Sequence, residues 1–435
     1  TIGAVGWSGP GNRLSSATDQ PPIVNRSTVE AVVLNFNGRE TVLRCVAHLA
    51  HSADSRIVLV DNGSTDGSAD AIRERFPDVR MIEAGANLGF AGGNNLALRD
   101  LDGVDYVALL NNDAFVEPGW LEPLVEALEQ DPGLGAACPK ILFEPRFVEL
   151  RLESPAFVPG RGDPRTLGVR VSGVEVDAAD RFVDTHFADG FYGEERGPGE
   201  EERFHWSRER ATLRVPAGAT GRIRLAAERP KQVRLAAATV EVSPDPRWVE
   251  VALEGPPVDV IQNAGSVLIA GGYAGDRGFM EVDCGQYDEP ADVFAWCGCA
   301  VLMRREYLED VGLLDERLFL YYEDIDLSWR GQLRGWRYRY VPRSVVRHLH
   351  ATSSGEGSEL FQYYVERNRL LVHVKNAPAS YAWRAVADWA LPTARFAVRD
   401  TVSPLLHGRR PQLALVRRRL RALRGFLRLA PAMLE

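Results

Sequence analysis

The chain has 435 residues, of which 45% are apolar and 26% charged, and its formal net charge is −9. This length allows two or three domains with well-buried cores, and the apolar and charged fractions are typical of globular proteins. The negative charge disfavours nucleic acid as a general partner.

The first half of the chain reads as a leader followed by an α/β unit. Residues 1–28 are rich in Gly, Ser, Pro and Asn without a period, which predicts a flexible leader. From residue 29 to 145 strands alternate with helices, which is typical of βαβ units and a mostly parallel sheet. The predicted strands are 29–36, 57–60, 79–83 and 106–110, and the predicted helices are 41–50, 68–76, 90–99 and 120–130.

The pattern changes after Pro145. Residues 146–260 contain short β-rich segments separated by Gly, Pro and Asp turns, which predicts an antiparallel β domain inserted into the α/β unit. The α/β pattern then returns over residues 261–378. The predicted strands there are 295–304, 336–341 and 344–348, and the predicted helices are 307–311, 323–334 and 360–375.

The C-terminal segment 379–435 is predicted to be a helical, basic tail. From Tyr381 onward, eleven Arg stand against two Asp and one Glu, a net charge of +8. Within 411–428 apolar residues recur at helical spacing between arginines, which predicts a basic amphipathic helix. Either this stripe lies on an anionic membrane surface, or it packs on the rest of the fold with the arginines in solvent. The stripe consists of Leu413, Val416, Leu420, Leu423 and Leu427.

The cysteines and the hydropathy favour a cytoplasmic location. Five Cys are an odd number, so a reducing compartment is the simpler interpretation. The spacing in Cys297-Gly298-Cys299 does not fit a zinc knuckle, and small packing residues are expected there. No segment approaches the ~20 apolar residues of a membrane span, and no secretory leader is visible. The inner face of the plasma membrane is a candidate location for the basic helix.

Three acidic sites directly follow apolar runs, at Asp61, at Asp113 and at Glu323-Asp324. A short apolar run predicts a buried strand of a parallel sheet, and ligands of open α/β sheets bind where such strands end. The third site lies some two hundred residues beyond the first two. A single loop therefore does not explain the set, and a ligand site is predicted.

Several motifs in order resemble the inverting glycosyltransferases of family 2, which have the GT-A fold, and especially their rhamnosyltransferase-like branch. The resemblance covers about 30–145 and 261–378. In the first half the motifs are 31–38 (AVVLNFNG), 60–68 (VDNGSTDGS), 87–94 (NLGFAGGN) and 110–113 (LNND). In the second half they are 312–316 (GLLDE), 322–327 (YEDIDL), Arg330 with 335–336 (GW), 346–348 (VRH) and 367–369 (RNR).

The resemblance implies a nucleotide-sugar donor bound at the first half. It places Asp61 and Asn87 at the base, Asn35 beside the nucleoside, and Asn111-Asn112-Asp113 at the position of the family's acidic metal-binding triplet. A turn-initiating role for Asp61 is the alternative. A helix starting after Gly92-Gly93 could point free N–H groups at an anion, but a glycine pair is equally ordinary in a turn.

A divalent cation, Mn²⁺ or Mg²⁺, is the implied cofactor. Asp113 is the one carboxylate of the triplet, and with the donor's diphosphate and water it can suffice as a ligand. His348 matches a family histidine that closes on the metal, and imidazole suits Mn²⁺ better than Mg²⁺. His350, two residues on, is the alternative ligand.

The resemblance assigns the general base to the acidic pair Glu323-Asp324, of which Asp324 is preferred. Inverting transfer needs a carboxylate that accepts the proton of the attacking acceptor hydroxyl. The alternative is that these acids only favour the positive end of a helix. Trp296 is the candidate for stacking on an acceptor sugar.

The expected activity is transfer of a sugar from a dTDP-rhamnose-like donor, or UDP-galactofuranose, to a cell-envelope glycan or polyprenyl-linked acceptor. Two alternatives remain. A sugar nucleotidyltransferase shares the α/β architecture, although 33–38 lacks the basic glycine-rich loop that this class would need. A degenerate glycan-binding scaffold would fit the two asparagines, 111 and 112, in the acidic triplet.

Overall fold

The computed structural model describes residues 27–52, 55–160, 162–197, 202–269, 271–349, 358–408, 410–411 and 413–434. The predicted leader lies outside the described residues apart from Ser27 and Thr28, and so does His350.

The first α/β segment follows the predicted alternation of strands and helices. Its elements are β1 (Val29–Asn35), α1 (Arg39–Ser52), β2 (Arg56–Asp61), α2 (Ser68–Arg75), β3 (Arg80–Glu83), α3 (Gly89–Leu98), β4 (Tyr106–Asn111), β5 (Ala114–Val116), α4 (Glu122–Gln130) and β6 (Leu134–Phe143).

Eleven strands follow without a helix. They are β7 (Phe147–Glu153), β8 (Arg170–Val176), β9 (Ala179–Asp180), β10 (His186–Phe187), β11 (Glu195–Arg196), β12 (Arg203–Trp206), β13 (Arg210–Pro216), β14 (Gly221–Ala226), β15 (Lys231–Leu235), β16 (Ala238–Val242) and β17 (Arg247–Val251).

The remaining elements complete the α/β unit and add the C-terminal helices. They are β18 (Ile261–Asn263), β19 (Ser266–Ile269), β20 (Tyr273–Asp276), β21 (Ala291–Val293), β22 (Ala300–Arg304), α5 (Arg305–Val311), α6 (Glu323–Leu333), β23 (Arg337–His348), α7 (Glu359–Asn376), α8 (Ala379–Ala397), a π-helical turn (Val398–Val402), α9 (Ser403–Leu406) and α10 (Ala414–Met433).

One ten-stranded sheet forms the centre of the α/β unit. Its order is β21-β23-β6-β22-β4-β1-β2-β3, with β18 paired to β6 and β5 to β23. Strands β3, β2, β1 and β4 are mutually parallel, and β22 runs antiparallel between β4 and β6. Helices cover both faces, because apolar residues of α1, α2 and α4 pack on one side and those of α3, α5 and α6 on the other.

The register brings the predicted donor residues to one edge of this sheet. Asn35 at the end of β1 is directly opposite Asp61 at the end of β2, and Leu34 is opposite Asn111 at the end of β4. The carboxyl ends of parallel strands meet at the same edge, so these polar side chains follow strands that are otherwise buried.

The inserted β segment is a sandwich with its own core. A five-stranded sheet, β10-β13-β7-β15-β16, packs on a six-stranded sheet, β11-β12-β8-β14-β17 with β9, and both are antiparallel. Its entry and exit are adjacent, since Phe147 and Val258 exchange backbone hydrogen bonds of 2.9 and 2.8 Å. The predicted α/β class with an inserted antiparallel domain is confirmed, while the predicted domain boundaries stay predictions.

The C-terminal helices pack beside α6 and α7. Arg419 of α10 is buried, with its guanidinium 2.8 Å from Glu366 on α7 and hydrogen-bonded to Thr393 on α8. Because α10 turns a face containing Val416 and Phe426 inward, the predicted leucine stripe is divided, and Leu420 and Leu427 are exposed. The helix predicted over 411–428 is present as α10, but its apolar residues are divided between a packed and an exposed side. Among the described residues no helix combines the length and apolarity needed to cross a membrane.

Candidate active site at the carboxyl edge of the sheet

Asp61 offers an unpaired carboxylate oxygen at the edge of the sheet. The side chain is buried, and its Oδ2 accepts a hydrogen bond of 3.3 Å from the Ser64 amide. Within the described part of the chain, Oδ1 is buried and has no hydrogen-bond partner. A buried carboxylate oxygen without a donor is costly, so Asp61 is suited to bind the N–H or O–H groups of a ligand.

Asn35, beside Asp61, is instead committed to contacts within the protein. Its Nδ2 donates to Ser68 Oγ at 2.8 Å and Ser64 Oγ at 3.2 Å, and its Oδ1 accepts from Asn112 Nδ2 at 2.8 Å. Asn35 is fully buried. Asn35 and Asn112 therefore brace the loop that carries Asp61, and their side-chain amides are already paired with each other.

Asn87 organises the start of α3. Its Oδ1 accepts hydrogen bonds from the Gly89 amide at 2.9 Å and from Asn62 Nδ2 at 3.1 Å. The helix begins at Gly89, before the glycine pair, and the amides of Phe90 and Ala91 donate to the Phe319 carbonyl at 2.7 and 3.3 Å. These two first-turn amides are thus paired with protein, contrary to the possibility of free N–H groups facing an anion.

Asp113 and His348 converge at the neighbouring strand ends. His348 Nε2 lies 3.0 Å from Asp113 Oδ1, and both side chains are buried. His348 Nδ1 lies 2.9 Å from Gln262 Oε1, an acceptor to which this nitrogen can donate. Asn111 Nδ2 lies 3.4 Å from Nε2, where it can donate to the lone pair. In the tautomer with the proton on Nδ1, the Nε2 lone pair would face a carboxylate oxygen.

This arrangement fits a divalent cation. Two acceptor atoms that face one another are stabilised by a proton or a cation between them, and carboxylate plus imidazole is a donor set suited to Mn²⁺. Gln262 would orient the imidazole, as outer-shell partners of metal-bound histidines do. Within the described residues no group of three or more His, Cys, Asp or Glu side chains could hold a metal. A cation held by these two side chains would take further oxygen ligands from substrate or water.

The acidic residues at the start of α6 occupy three different environments. Asp326 is fully buried and paired with Arg330 at 2.9 Å and Lys375 at 2.8 Å. Glu323 is buried and, within the described residues, its Oε2 has no hydrogen-bond partner. Burial raises the pKa of Glu323 well above its usual value, and the neighbouring Asp324 raises it further.

Asp324 is the member of this group that is partly open to solvent. Its Oδ1 accepts from the Ile325 amide at 2.8 Å and its Oδ2 from the Gly298 amide at 3.1 Å. Burial raises the pKa of Asp324 to about 6, against the lowering effect of these two amides, and the nearby Asp276 raises it further. A carboxylate of this kind is ionised at neutral pH and basic enough to accept a proton.

The turn 297–299 is hydrogen-bonded both to Asp324 and to the end of β4, which precedes Asp113. The Gly298 amide binds Asp324, while the Cys299 carbonyl accepts a 3.0 Å hydrogen bond from the Asn111 amide at the end of β4. Burial raises the pKa of the Cys297 and Cys299 thiols well above normal, and both cysteines are free. Their role is packing, as predicted from the sequence.

The loop before Asp324 is strained. Phe319, Tyr321 and Tyr322 have φ values of 66°, 68° and 71°, which bulky L-residues rarely adopt. The side chain of Asn368 on α7 secures this loop by donating to the carbonyls of Leu318, Leu320 and Tyr321 at 2.7–2.9 Å. The strain is retained because surrounding groups fix it, and it determines where α6 begins.

Trp296 does not face the site. Its side chain has 0% exposure and lies in the apolar core beside Tyr307. The expectation that this indole stacks on an acceptor sugar is therefore wrong. The sequence pattern gave Trp296 a turn-like setting next to a glycine, but the residue belongs to the layer between the sheet and α6.

Sequence reasoning missed three residues that shape this edge. They are Gln262 beside His348, Gly298 beside Asp324, and Asp276, which accepts a 2.5 Å hydrogen bond from the buried Asn263. Gln262 and Asp276 lie in short strands just after the insert, and no motif marks them. The sequence pattern marks only Gly298, which lies between two cysteines near a predicted strand.

Two family models match this chain, one in each half of the α/β unit. The family model described as "Glycosyl transferase family 2" matches residues 30–170, and that described as "Glycosyltransferase like family 2" matches residues 259–370. The first match extends into the inserted sandwich as far as the start of β8, and the second begins after it.

Curated relatives match over shorter lengths. The chain is 34% identical over 103 residues to the N-acetylglucosaminyl-diphospho-decaprenol L-rhamnosyltransferase of Mycobacterium tuberculosis, which is 21% of this chain and 34% of the relative. It is 32% identical over 90 residues to polypeptide N-acetylgalactosaminyltransferase 9 of Homo sapiens, covering 20% and 15% of the two chains. The chain therefore spans about a third or less of these relatives.

Solved structures give a remote likeness. The mannosyltransferase PcManGT from Pyrobaculum calidifontis, in complex with GDP-Man and Mn²⁺, is 13% identical with a TM-score of 0.40, over 94% of this chain and 88% of that one. The two family matches, which together cover the segments that build the sheet edge, show that the chain belongs to glycosyltransferase family 2.

Proposed function

We propose that the protein transfers a sugar, with inversion, from a nucleotide-sugar donor to a cell-envelope glycan on a polyprenyl-linked acceptor. The donor we propose is dTDP-rhamnose or a similar nucleotide sugar, with UDP-galactofuranose as the second choice. The curated relative in M. tuberculosis bears the name of a rhamnosyltransferase acting on a decaprenyl-diphosphate-linked sugar, and this supports both donor and acceptor class.

The observation that carries the proposal is the arrangement of acids around the turn 297–299. Asp324, partly open and with its pKa raised to about 6, touches this turn on one side. On the other side the Cys299 carbonyl of the turn accepts a hydrogen bond from the end of β4. Asp113 follows that strand end and contacts His348. The turn thus joins, through one hydrogen bond on each side, a group able to accept a proton to the strand end that precedes a site able to hold a cation.

In the proposed reaction Asp324 takes the proton of the acceptor hydroxyl as its oxygen attacks the anomeric carbon from the face opposite the diphosphate. Asp61 binds the nucleoside through its unpaired Oδ1, and Asn87 and Asn35 brace the surrounding loop. Asp113 and His348 would hold Mn²⁺ or Mg²⁺, which when bound offsets negative charge on the leaving diphosphate. Glu323 stays behind Asp324, and its burial favours the neutral acid.

A screen of nucleotide sugars by thermal shift, with and without Mn²⁺, tests the donor. Ligand that binds only the native state raises the melting temperature, so dTDP-rhamnose or UDP-galactofuranose should do so in a metal-dependent way. If no nucleotide sugar shifts the transition under either condition, the transferase proposal fails. A glycan-binding scaffold would instead bind acceptor glycan and show neither donor shift nor turnover.

A further inference from the structure

Helix α8 is apolar on two opposite sides. One side, which includes Ala385 and Trp389, is buried among the neighbouring helices. The other side presents Trp383 and Leu391 to solvent, with 73% and 61% of their surface exposed. An apolar side of a helix is normally buried against a neighbour, and this outer side has no such neighbour within the described chain.

The exposed apolar row continues beyond α8. Val398 and Val402 lie in the π-helical turn and Leu405 in α9, and they follow Leu391 by 7, 11 and 14 residues, close to two, three and four helical turns. Leu406, at the end of α9, is 79% exposed. Half of the large apolar side chains that are exposed in the described residues belong to 381–434.

Arginines accompany this row on the same elements and on α10, and we refer to them as the basic rim. Arg384, Arg395 and Arg399 lie along α8 and the π-helical turn. On α10 the exposed Leu420 and Leu427 are accompanied by arginines at positions 417, 421, 424 and 428, all exposed. The acids on α8 and the π-helical turn are already close to arginines, since Asp388 is 3.9 Å from Arg384 and Asp400 is paired with Arg399.

We propose that the outer face of α8, the π-helical turn and α9 docks on an anionic lipid bilayer, with the arginines of α10 contacting headgroups at its edge. An apolar row within a basic rim matches the hydrocarbon boundary and the negative headgroups of such a surface. A second copy of this chain would place like-charged rims together, which disfavours self-association as the cover. The proposal rests on the proposed function, because a polyprenyl-linked acceptor is presented at a membrane.

Co-sedimentation of the full chain with vesicles tests the docking face. One set contains phosphatidylglycerol with phosphatidylcholine, and the other phosphatidylcholine alone. The wild type should pellet with the anionic vesicles at low salt and much less with the neutral ones. Leu405→Asp combined with Leu406→Asp should lower the bound fraction about tenfold or more, because charge replaces the inserted side chains. Val183→Asp is the matched control, since Val183 is 69% exposed on the sandwich, and should bind as wild type does.

Several outcomes overturn the docking proposal. The first is that the double variant and the wild type pellet equally, or that neither pellets. The second is that the wild type binds neutral and anionic vesicles equally. The third is that the wild type binds no vesicles but forms a dimer, seen by light scattering, which the double variant abolishes. Transfer to a water-soluble acceptor without a prenyl chain should be unchanged in the double variant. Absence of such transfer in the wild type, with vesicle binding intact, would count against the transferase proposal and not against docking.

Discussion

At the residue scale, the start of α6 shows adjacent carboxylates in different environments, which is the basis for proposing different roles. Asp326 is neutralised by Arg330 and Lys375, and so it is a structural charge. Glu323 is shut away from solvent, whereas Asp324 keeps a path to it. Sequence reasoning preferred Asp324 by resemblance, and the structure adds a physical reason, since an acceptor hydroxyl can reach only a carboxylate that is accessible.

The pKa of Asp324 predicts how activity depends on pH. Burial raises this pKa to about 6, so the carboxylate is ionised and able to accept a proton above pH 6 and becomes protonated below it. We expect kcat/KM to fall about tenfold per pH unit on the acid side of pH 6. Asp324→Glu, if active, should shift the pH at which kcat/KM begins to fall. A profile that stays flat down to pH 5, or a limb unchanged in Asp324→Glu, would assign the titration elsewhere.

Asp113 should control the metal-dependent part of donor binding. Asp113→Ala removes the carboxylate that faces His348 Nε2 at 3.0 Å, and with it the anionic ligand for the cation. Calorimetry of donor binding should then show the same weak affinity with Mn²⁺ as with EDTA. The wild type should lose affinity when EDTA is added. Equal, metal-responsive affinities in variant and wild type would contradict a metal role.

The sequence predicted where the site residues lie better than it predicted their hydrogen-bond partners. Asn35, Asp61 and Asn111 could be placed because buried strand runs end at them, and parallel register then brings them together. The side-chain amide of Asn35 is hydrogen-bonded to Ser68 and Asn112. These contacts join side chains from three separate segments, and no local sequence pattern encodes them. The burial of Trp296 likewise depends on α6, which follows it in the chain.

At the element scale, the contact between α3 and the strained loop before α6 joins the two halves of the site. Gly89 at the start of α3 has a φ of 73°, and a Cβ there would lie 2.4 Å from the Phe319 carbonyl oxygen. That carbonyl accepts from the first turn of α3, so the loop must approach the helix this closely. Glycine at this position is required both by backbone conformation and by space.

Gly89→Ala should therefore displace the loop and with it Asp324. Gly85→Ala is the matched control, because Gly85 has a φ of 71° but no atom within 4 Å of the added Cβ. The control should show only the cost of the left-handed conformation, about 1–2 kcal/mol of unfolding free energy. Gly89→Ala should cost more in chemical denaturation and lower kcat at least tenfold. Equal effects of the two substitutions would show that the contact does not position the base.

The types of the elements and their order were predictable from the sequence. Which face of each helix is buried was harder to predict. The spacing of leucines in α10 predicted one apolar stripe, yet α10 buries Arg419 with Glu366 and leaves Leu420 exposed. A buried arginine reverses the usual relation between hydropathy and burial, because an ion pair on the neighbouring helix compensates it. Periodicity alone does not reveal such a partner.

At the scale of the whole molecule, the sandwich is attached to the α/β unit by adjacent chain ends. The exchange of backbone hydrogen bonds between Phe147 and Val258 allows the chain to return to the sheet where it left. Each unit has its own apolar core. None of the donor-binding, metal or base residues proposed above lies between these two positions.

Replacing residues 148–257 by a short Gly-Ser turn should therefore preserve donor binding. We expect a donor dissociation constant within about threefold of the wild-type value, since the proposed ligands lie outside the segment removed. The melting temperature should fall, because His186 of the sandwich packs against Phe147 and Phe143 with ring centroids 4.2 and 4.5 Å apart. A variant that folds by circular dichroism but has lost donor binding would show that the sandwich completes the donor site.

The assignment of Asp324 as the base is tested by following one sugar from donor to acceptor in the wild type and in Asp324→Asn. The wild type should form a product whose anomeric configuration, read by NMR, is opposite to that of the donor. Asp324→Asn should bind the donor with unchanged affinity but form product at least ~10²-fold more slowly, because the base acts on the acceptor. Glu323→Gln is the neighbouring control. Retention of configuration, or more than about a tenth of wild-type turnover in Asp324→Asn, would contradict the assignment of Asp324 as the base.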